Sequence, residues 1–476
     1  MVAALCASLV HTVGASGGEG VALPELGDPS SSTVSGQQEY DLGRAWLKMF
    51  RSQVRTVSDP LEQDYLEYLI YKLASYSQLR DRRLEVVIVD NPTINAFAVP
   101  GGVVGVHNGA FLYADNEAQL ASILGHELAH LSQRHFARGV EQQQKSMLPT
   151  MAGMLGALVL AATARGDAGM AAMAATQAAA QQNALRFSRE NEQEADRVGM
   201  ETLVKADYDP NAFGTMFENM LAANRYAGRN PPEFLLTHPL TESRVSDARN
   251  RARDYPRKVY VDNLDYQLMR ARIEVQLAGS NTEALRKFKA RLKGQSRNVE
   301  ADRYGLALAY LQAGQLREAR EQLDPLLQKD PRRLAYVVTD TDIDVASGTP
   351  SRAIEKLRDQ LRVNPGNYPL SMAYADALLK ASQPQQAEVV LQEQVQLRPT
   401  DPAVWYELAE THGLAGNILG VHQARAEYFV LNGVLDKAEQ QLNYALPLVR
   451  NDQIATTKIE ERIRQIKALK EQMDKM

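Results

Sequence analysis

A 34-residue period in the C-terminal half constrains the fold of this chain more than any other feature of its sequence. Three residue types recur at this step, at Ala319, Ala353 and Ala387, at Leu323, Leu357 and Leu391, and at Pro331, Pro365 and Pro399. A repeat of this length corresponds to one helix-turn-helix unit, and stacked units bury a continuous core that a single unit lacks. The period therefore predicts an α-helical superhelix over residues 259–476.

The best-defined unit covers residues 304–331, with the sequence YGLALAYLQAGQLREAREQLDPLLQKDP. It resembles a tetratricopeptide repeat, in which small residues allow close helix packing and a proline ends the second helix. Ala438 lies 51 residues beyond Ala387, so the last helices keep the pattern with an offset of about one extra helix. An unrelated helical bundle is the alternative, but it would not require three residue types to share one period.

Length and composition leave room for two or three ordinary domains. The chain has 476 residues, with 53 basic and 58 acidic side chains and a formal net charge of −5. This balance does not favour a nucleic-acid partner. Cys6 is the one cysteine in the sequence, which excludes an internal disulfide framework and a cysteine zinc finger. Any metal site must use histidine and carboxylate ligands.

The N-terminal residues 1–16 form a short apolar run followed by small residues, which resembles the end of a secretory signal. No basic segment precedes the run, so two interpretations stay open: a signal that starts upstream of Met1, or a hydrophobic terminus without a targeting role. The composition of residues 17–38 predicts a flexible lead-in to the next domain. We predict three parts: this segment over residues 1–38, a catalytic domain over 39–258, and the repeat domain over 259–476.

The predicted catalytic domain mixes helical and extended patterns. Two helices are expected between residues 38 and 79, and a small antiparallel sheet is expected from the segments 84–89, 95–99 and 103–106. Further helices are predicted over about 116–139, 177–206 and 210–225. The uncharged run 147–164 is rich in Gly and Ala, and we expect a buried or membrane-touching helical hairpin over the site. A true transmembrane span is the alternative.

The strongest chemical signal lies in the segment 121–139, whose apolar spacing is helical. His126 and His130 are four residues apart and therefore share one helix face, where both imidazoles can bind the same ion. Glu127 stands beside them and can accept a proton from an attacking water. Zinc in such a site lowers the pKa of a bound water to about 7 and polarises the scissile carbonyl. The pattern predicts one zinc ion per chain and peptide-bond hydrolysis.

A catalytic zinc ion needs a third protein ligand, which the spacing alone does not identify. The predicted helix downstream offers two carboxylate pairs, Glu190 with Glu194 and Glu192 with Asp196, and each pair shares a face. His135 is nine residues from His126, half a turn out of phase on a continuous helix. A surface or packing role is therefore expected for His135.

These motifs together resemble a known metallopeptidase superfamily, the one that contains the CAAX prenyl protease and the HtpX heat-shock protease. The resemblance covers about residues 80–250 and rests on His126-Glu-x-x-His130, on Glu192-x-x-Ala195-Asp196, and on the upstream segment 95–102, NAFAVPGG. It implies a gluzincin-type fold, mostly α-helical within the α+β class, with a small antiparallel sheet before the tetratricopeptide superhelix. It also implies that Glu192 is the third zinc ligand and that Asp196 accepts a hydrogen bond from a ligand histidine.

Two more segments take expected roles from this resemblance. The hairpin 95–106 would form the edge of the active site and hold an extended substrate through backbone hydrogen bonds, with a purely structural hairpin as the alternative. His238, in the segment 235–244, would stabilise the oxyanion or fill the fourth zinc position and keep the enzyme latent. Arg244 would assist as a fixed cation. A capping or packing role for His238 stays open.

The branch of the superfamily that carries C-terminal repeats implies a periplasmic endopeptidase. Its expected substrates are unfolded or misassembled outer-membrane β-barrel proteins, and its expected partner is the barrel-assembly machinery, reached through the repeats. Peripheral association with a membrane is compatible with this picture. Two rivals remain: a chaperone or scaffold with little proteolytic activity, and an integral-membrane peptidase.

Overall fold

The computed structural model describes residues 34–144, 188–226 and 233–474. The signal-like segment 1–16 and the predicted hairpin over 147–164 lie outside the described residues. Within the described ranges, no helix combines the length and the apolarity that a membrane crossing requires.

The N-terminal region begins with helices whose starts are set by capping side chains. Ser35 caps the first helix through a capping box with Gln38, and the Asp59 carboxylate caps the second, which has Pro60 at its first position. The helices are α1 (Gly36–Gln53), α2 (Pro60–Tyr76), α3 (Ala110–Tyr113), α4 (Glu117–Ser132), α5 (135–144), α6 (188–205), α7 (Asn211–Tyr226), α8 (Glu233–Thr237) and α9 (Glu242–Ala252).

A three-stranded sheet lies beside these helices. Its strands are β1 (Glu85–Val89), β2 (Ala96–Val99) and β3 (Val103–His107), in the order β1-β3-β2. Strands β2 and β3 are antiparallel, as predicted, but β1 pairs with β3 in parallel. The expectation of a wholly antiparallel sheet is therefore wrong: the β2–β3 hairpin reverses the chain, and β1 adds to the far side of β3 instead of pairing with β2.

The C-terminal region is a succession of paired helices. They are α10 (Leu264–Gln276), α11 (Asn281–Ala290), α12 (Val299–Gln312), α13 (Leu316–Lys329), α14 (Leu334–Ala346), α15 (Pro350–Val363), α16 (Tyr368–Lys380), α17 (Pro384–Leu397), α18 (Pro402–Ala415), α19 (Ile418–Leu431), α20 (Leu435–Ala445) and α21 (Gln453–Asp474). A π turn (Arg291–Gln295) follows α11, and a 3₁₀ turn (Leu446–Val449) follows α20.

The periodic residues occupy equivalent places in this stack. The alanines and leucines of the 34-residue period lie on the second helix of each pair and are fully buried: Ala319, Ala353, Ala387, Leu323, Leu357 and Leu391. The turns inside two pairs contain Gly314 and Gly348, whose φ angles of 70° and 74° favour glycine. The predicted mostly helical α+β class with a helical superhelix is confirmed.

The repeats touch the N-terminal region at more than one place. Tyr266 of α10 donates its hydroxyl to the carbonyls of Phe111 and Ala114. Further along the repeats, between α17 and α18, the Arg398 guanidinium pairs with Glu67 of α2. The predicted boundary after residue 258 falls between α9 and α10, and it stays a prediction.

Candidate metal centre

The candidate metal centre is built where α4 and α6 cross at close range. Asn116 caps α4, and almost the whole helix is buried. At the crossing, Gly125 faces Gly199 so closely that a Cβ atom on Gly199 would lie 2.9 Å from the backbone nitrogen of His126. Larger side chains would force the helices apart. The two glycines therefore let the carboxylates of α6 reach the histidines of α4.

Four side chains from three segments converge at this crossing. Their ligand atoms all lie within 4.8 Å of one another, and the residues are His126, His130, Glu192 and His238. His126 Nε2 is 3.0 Å from His130 Nε2 and 3.3 Å from His238 Nδ1. Glu192 Oε1 is 3.4 Å from His130 Nε2 and 3.0 Å from His238 Nδ1. In the described part of the chain, this is the one cluster of its kind.

The spacing of these atoms fits a small divalent ion. A tetrahedral zinc ion with bonds of about 2.0–2.1 Å holds its ligand atoms about 3.4 Å apart, close to the 3.0–3.4 Å between neighbours here. Two imidazole nitrogens that face each other at 3.0 Å, as His126 and His130 do, need a proton or a cation between their lone pairs. The donor set of nitrogen and carboxylate oxygen is one that zinc prefers.

Charge at the cluster also favours a cation. Burial lowers the pKa of His126, but the neighbouring carboxylates of Asp196 and Glu192 outweigh burial and raise the pKa to about 9. Burial and the neighbouring His126 hold the pKa of His130 well below its ordinary value. Burial would raise the pKa of Glu192, but His126 and His238 hold it far below its usual range. The cluster therefore favours one added positive charge. When no metal ion is bound, a proton on His126 provides that charge.

Glu127 lies next to the cluster and is itself 1% exposed. Its Oε1 is buried and accepts no hydrogen bond from the described residues, and it lies 3.5 Å from His238 Nε2. Burial raises the pKa of Glu127, although the charges of His238 and His126 lower it. The backbone N–H of Ala98 donates to the Glu127 carboxylate and also lowers the pKa. A buried carboxylate with an open oxygen is suited to accept a proton from a bound molecule.

Arg244 of α9 fixes two carboxylates of α6, Asp196 and Glu192. Its Nε and Nη2 donate to both oxygens of Asp196 at 2.7 Å, and its Nη1 lies 3.0 Å from Glu192 Oε2. Nη1 also donates to the carbonyl of Pro239, directly after His238. Asp196 Oδ1 lies 3.0 Å from His126 Nδ1, at ion-pair distance although poorly aligned for a hydrogen bond. One buried guanidinium thus connects a candidate ligand, its neighbour and the loop that carries His238.

Comparison with known proteins identifies the family. The model for peptidase family M48 matches residues 60–252, and a tetratricopeptide-repeat model matches residues 344–410. The beta-barrel assembly-enhancing protease of Escherichia coli (strain K12) is 37% identical over 452 residues, which cover 94% of this chain and 92% of that protein. This chain belongs to the beta-barrel assembly-enhancing proteases of family M48. It is a metalloendopeptidase with tetratricopeptide repeats.

Other similar proteins include the beta-barrel assembly-enhancing protease of Yersinia pestis, 34% identical over 457 residues that cover 95% of this chain and 93% of that protein. Among solved structures, a thermophilic tetratricopeptide-repeat protein of Thermus thermophilus is 22% identical and covers 42% of this chain and 96% of its own, with a TM-score of 0.29.

The structure of this M48 peptidase separates the carboxylates that the spacing left equivalent. Glu192 and Asp196 face α4, whereas Glu194 turns the other way, towards α5. Glu190 is exposed. The resemblance singled out the pair that faces α4, and the roles given to the two residues stay proposals. His238 lies within the cluster, with Nδ1 towards Glu192.

Of the two roles expected for His135, the surface role is wrong, because the side chain is buried, and the packing role stays a prediction. Its Nδ1 lies 2.8 Å from Nδ1 of His130, and its Nε2 lies 3.2 Å from Glu194 Oε2. The predicted continuous helix over 116–139 breaks after Ser132, because Arg134 adopts a positive φ of 51° and α5 begins at residue 135. The phase of a continuous helix therefore does not apply to His135. A sequence signal for this break is missing, since neither Gly nor Pro stands at the turn.

Proposed function

We propose that this metalloendopeptidase binds one zinc ion through His126, His130 and Glu192 and uses Glu127 as its general base. The convergence of these ligand atoms, with 3.0–3.4 Å between neighbours, carries the proposal. Three protein ligands with one further position is the usual arrangement of a catalytic zinc site.

The chain's own residues supply the steps that surround the metal. A bound zinc ion would polarise the scissile carbonyl and acidify the attacking water. Glu127 would take the proton of that water on its open Oε1 and transfer it to the leaving amine. Asp196, held by Arg244, keeps the outer nitrogen of His126 protonated so that Nε2 stays free to bind metal.

Strand β2 is placed to align a substrate. It forms one edge of the sheet, and the N–H of Ala98 reaches the carboxylate of Glu127. An extended peptide that pairs with this edge would pass close to the metal ligands. Recognition through backbone atoms suits unfolded or edge-exposed protein better than one fixed sequence.

His238 best fits the fourth ligand position of a latent enzyme. Its Nδ1 lies 3.0 Å from Glu192 Oε1 and 3.3 Å from His126 Nε2, inside the ligand cluster. An oxyanion donor would instead point beside an open ligand position. We infer that the loop with His238 must move before a substrate carbonyl reaches the metal.

The names of the relatives supply the biological setting. We propose that the enzyme acts in the periplasm, that it degrades misassembled outer-membrane β-barrel proteins, and that its repeats contact the barrel-assembly machinery. The repeats present half-exposed aromatic side chains, among them Tyr406 and Tyr444. The ring centroid of Tyr406 lies 5.5 Å from that of Tyr428. Such residues suit protein contacts, so a chaperone role of the repeats is compatible with proteolysis.

The decisive test replaces Glu127 with Gln. Cleavage of an unfolded β-barrel protein should fall by about 100-fold to 10,000-fold, while one zinc ion per chain stays bound. Metal analysis and a gel-based cleavage assay measure the two quantities, and Glu190→Gln, an exposed change on α6, is the matched control. Undiminished cleavage by the Gln variant would overturn the assignment, and undiminished client rescue in cells without cleavage would favour the chaperone role.

The two candidate roles of His238 predict opposite changes in the cleavage rate when this residue is replaced. If His238 blocks the metal, His238→Ala should raise basal cleavage by about tenfold, the gain expected when about a tenth of the molecules are open. If it stabilises the oxyanion, cleavage should fall by about 100-fold. Single-turnover cleavage with saturating zinc distinguishes the two results.

A further inference from the structure

His130, like His126, has an outer nitrogen that needs a partner. A histidine that binds metal through Nε2 carries its proton on Nδ1 and donates it to a neighbouring acceptor, which fixes the ring and raises the basicity of the ligand. For His126 that neighbour is Asp196. Among the described residues, no carboxylate faces the Nδ1 atom of His130 directly, and this atom lies 2.8 Å from Nδ1 of His135.

When His135 is neutral, its contacts admit one consistent arrangement of protons. If Nδ1–H of His130 donates, then Nδ1 of His135 accepts, and the proton of His135 must lie on Nε2. That N–H points at Oε2 of Glu194 at 3.2 Å. The same oxygen accepts from Nη1 of Arg138 at 2.7 Å. Each donor along the chain of contacts meets an acceptor.

The backbone turn at Arg134 also supports the contact between His130 and His135. Arg134 holds a φ of 51°, a conformation that is costly for a residue other than glycine, and the reversal brings His135 back against His130. Nε of Arg134 donates to Glu39 of α1 at 3.1 Å, which fixes the turn from outside. His135 is 7% exposed, although an imidazole without a polar task would be cheaper at the surface.

We propose that His135 and Glu194 are positioning residues that hold His130 in its metal-binding tautomer through a relay from His130 to His135 to Glu194, clamped by Arg138. The proposal rests on the metal site proposed above. It gives Glu194, two residues from Asp196 on α6, the same task for His130 that Asp196 has for His126. The two ligand histidines are thus supported from opposite sides of α6.

The test measures zinc affinity by competition with a chromophoric chelator, alongside cleavage. His135→Leu and Glu194→Gln should each weaken zinc binding by about 10-fold to 100-fold. Because the relay acts in series, the double variant should bind zinc about as weakly as the His135→Leu single variant. His135→Gln, which can both accept and donate, should recover part of the affinity. Glu190→Gln is the control on the same helix.

Each outcome decides a different point. If the wild-type chain binds no zinc, the proposed function fails and the relay with it. If the wild type binds zinc and the folded His135→Leu and Glu194→Gln variants bind it within about twofold of wild type, the relay alone is overturned. Additive losses in the double variant, with no recovery by His135→Gln, would show a packing role and would also overturn it. Circular dichroism confirms that each variant is folded.

Discussion

Buried carboxylates in the repeats and in the catalytic region are neutralised in different ways. In the repeats, Asp344 of α14 is fully buried and pairs with Arg320 at 2.7 Å and with Lys356 at 2.6 Å. In the catalytic region, Glu192 has one guanidinium partner, Arg244, and otherwise faces three imidazole rings. The first carboxylate is surrounded by permanent cations, whereas the second faces groups that are neutral when they bind a metal.

This difference separates a structural cluster from a functional one. Both sets of charges are withdrawn from water, which is unfavourable unless each charge meets a partner. Arg320 and Lys356 complete the repeat cluster with protein atoms alone. The cluster around Glu192 instead brings lone pairs together and needs an added cation. An incomplete buried charge cluster is therefore the structural sign that supports the proposed metal site.

The largest effect is expected when the complete cluster is broken. Asp344→Asn leaves Arg320 and Lys356 with less negative charge and should lower the free energy of unfolding by about 3 kcal/mol. Zinc content and cleavage per folded molecule should not change. Urea unfolding followed by circular dichroism measures the loss, and Asp359→Asn, an exposed change on α15, is the control. Loss of zinc from the Asp344→Asn variant would contradict the separation of the two clusters.

A smaller effect of a different kind is expected at the incomplete cluster. Asp196→Asn removes the charge next to Nδ1 of His126 and should weaken zinc binding by about 10-fold to 100-fold, roughly 1.4–2.7 kcal/mol. Chelator competition measures the affinity, with the exposed Asp207→Asn as the control. If zinc affinity is unchanged while the free energy of unfolding falls by several kcal/mol, Asp196 belongs with the structural cluster instead.

The smallest effect concerns a third way to neutralise a buried acid, by a proton. Burial, followed by the charge of Asp59, raises the pKa of Glu62 from 4.5 to about 8, although Arg272 lowers it. The folded chain then holds a proton that the unfolded chain releases, so stability should fall as pH rises from about 5 to 8.

Glu62→Gln should remove about 1 kcal/mol of this fall between pH 6 and pH 7, where one proton accounts for at most about 1.4 kcal/mol per pH unit. Asp342, whose pKa burial raises to about 7, keeps part of the slope in the variant. Urea unfolding at several pH values measures the slope, with the exposed Glu321→Gln as the control. Equal slopes in the wild type and Glu62→Gln would contradict the idea that Glu62 is buried as the neutral acid.

Local patterns predicted most of the elements correctly. The 34-residue period located the paired helices, because close packing of Ala353 and Leu357 recurs with every unit. Helical spacing likewise placed His126 and His130 on one face of α4. The parallel pairing of β1 was missed, because strand order depends on contacts between distant segments and leaves little local trace.

The amino-acid sequence by itself determined which ligands were available: two histidines one helical turn apart, a neighbouring glutamate, and several carboxylates on a later helix. Only the tertiary structure decided that Glu194 contacts His135, that Glu192 faces His126 and His130, and that His238 joins the cluster. The physical reason is that helical periodicity fixes angles only within one helix. The relative orientation of two helices is set by non-local packing, here by the contact of Gly125 with Gly199 and by the reversal at Arg134.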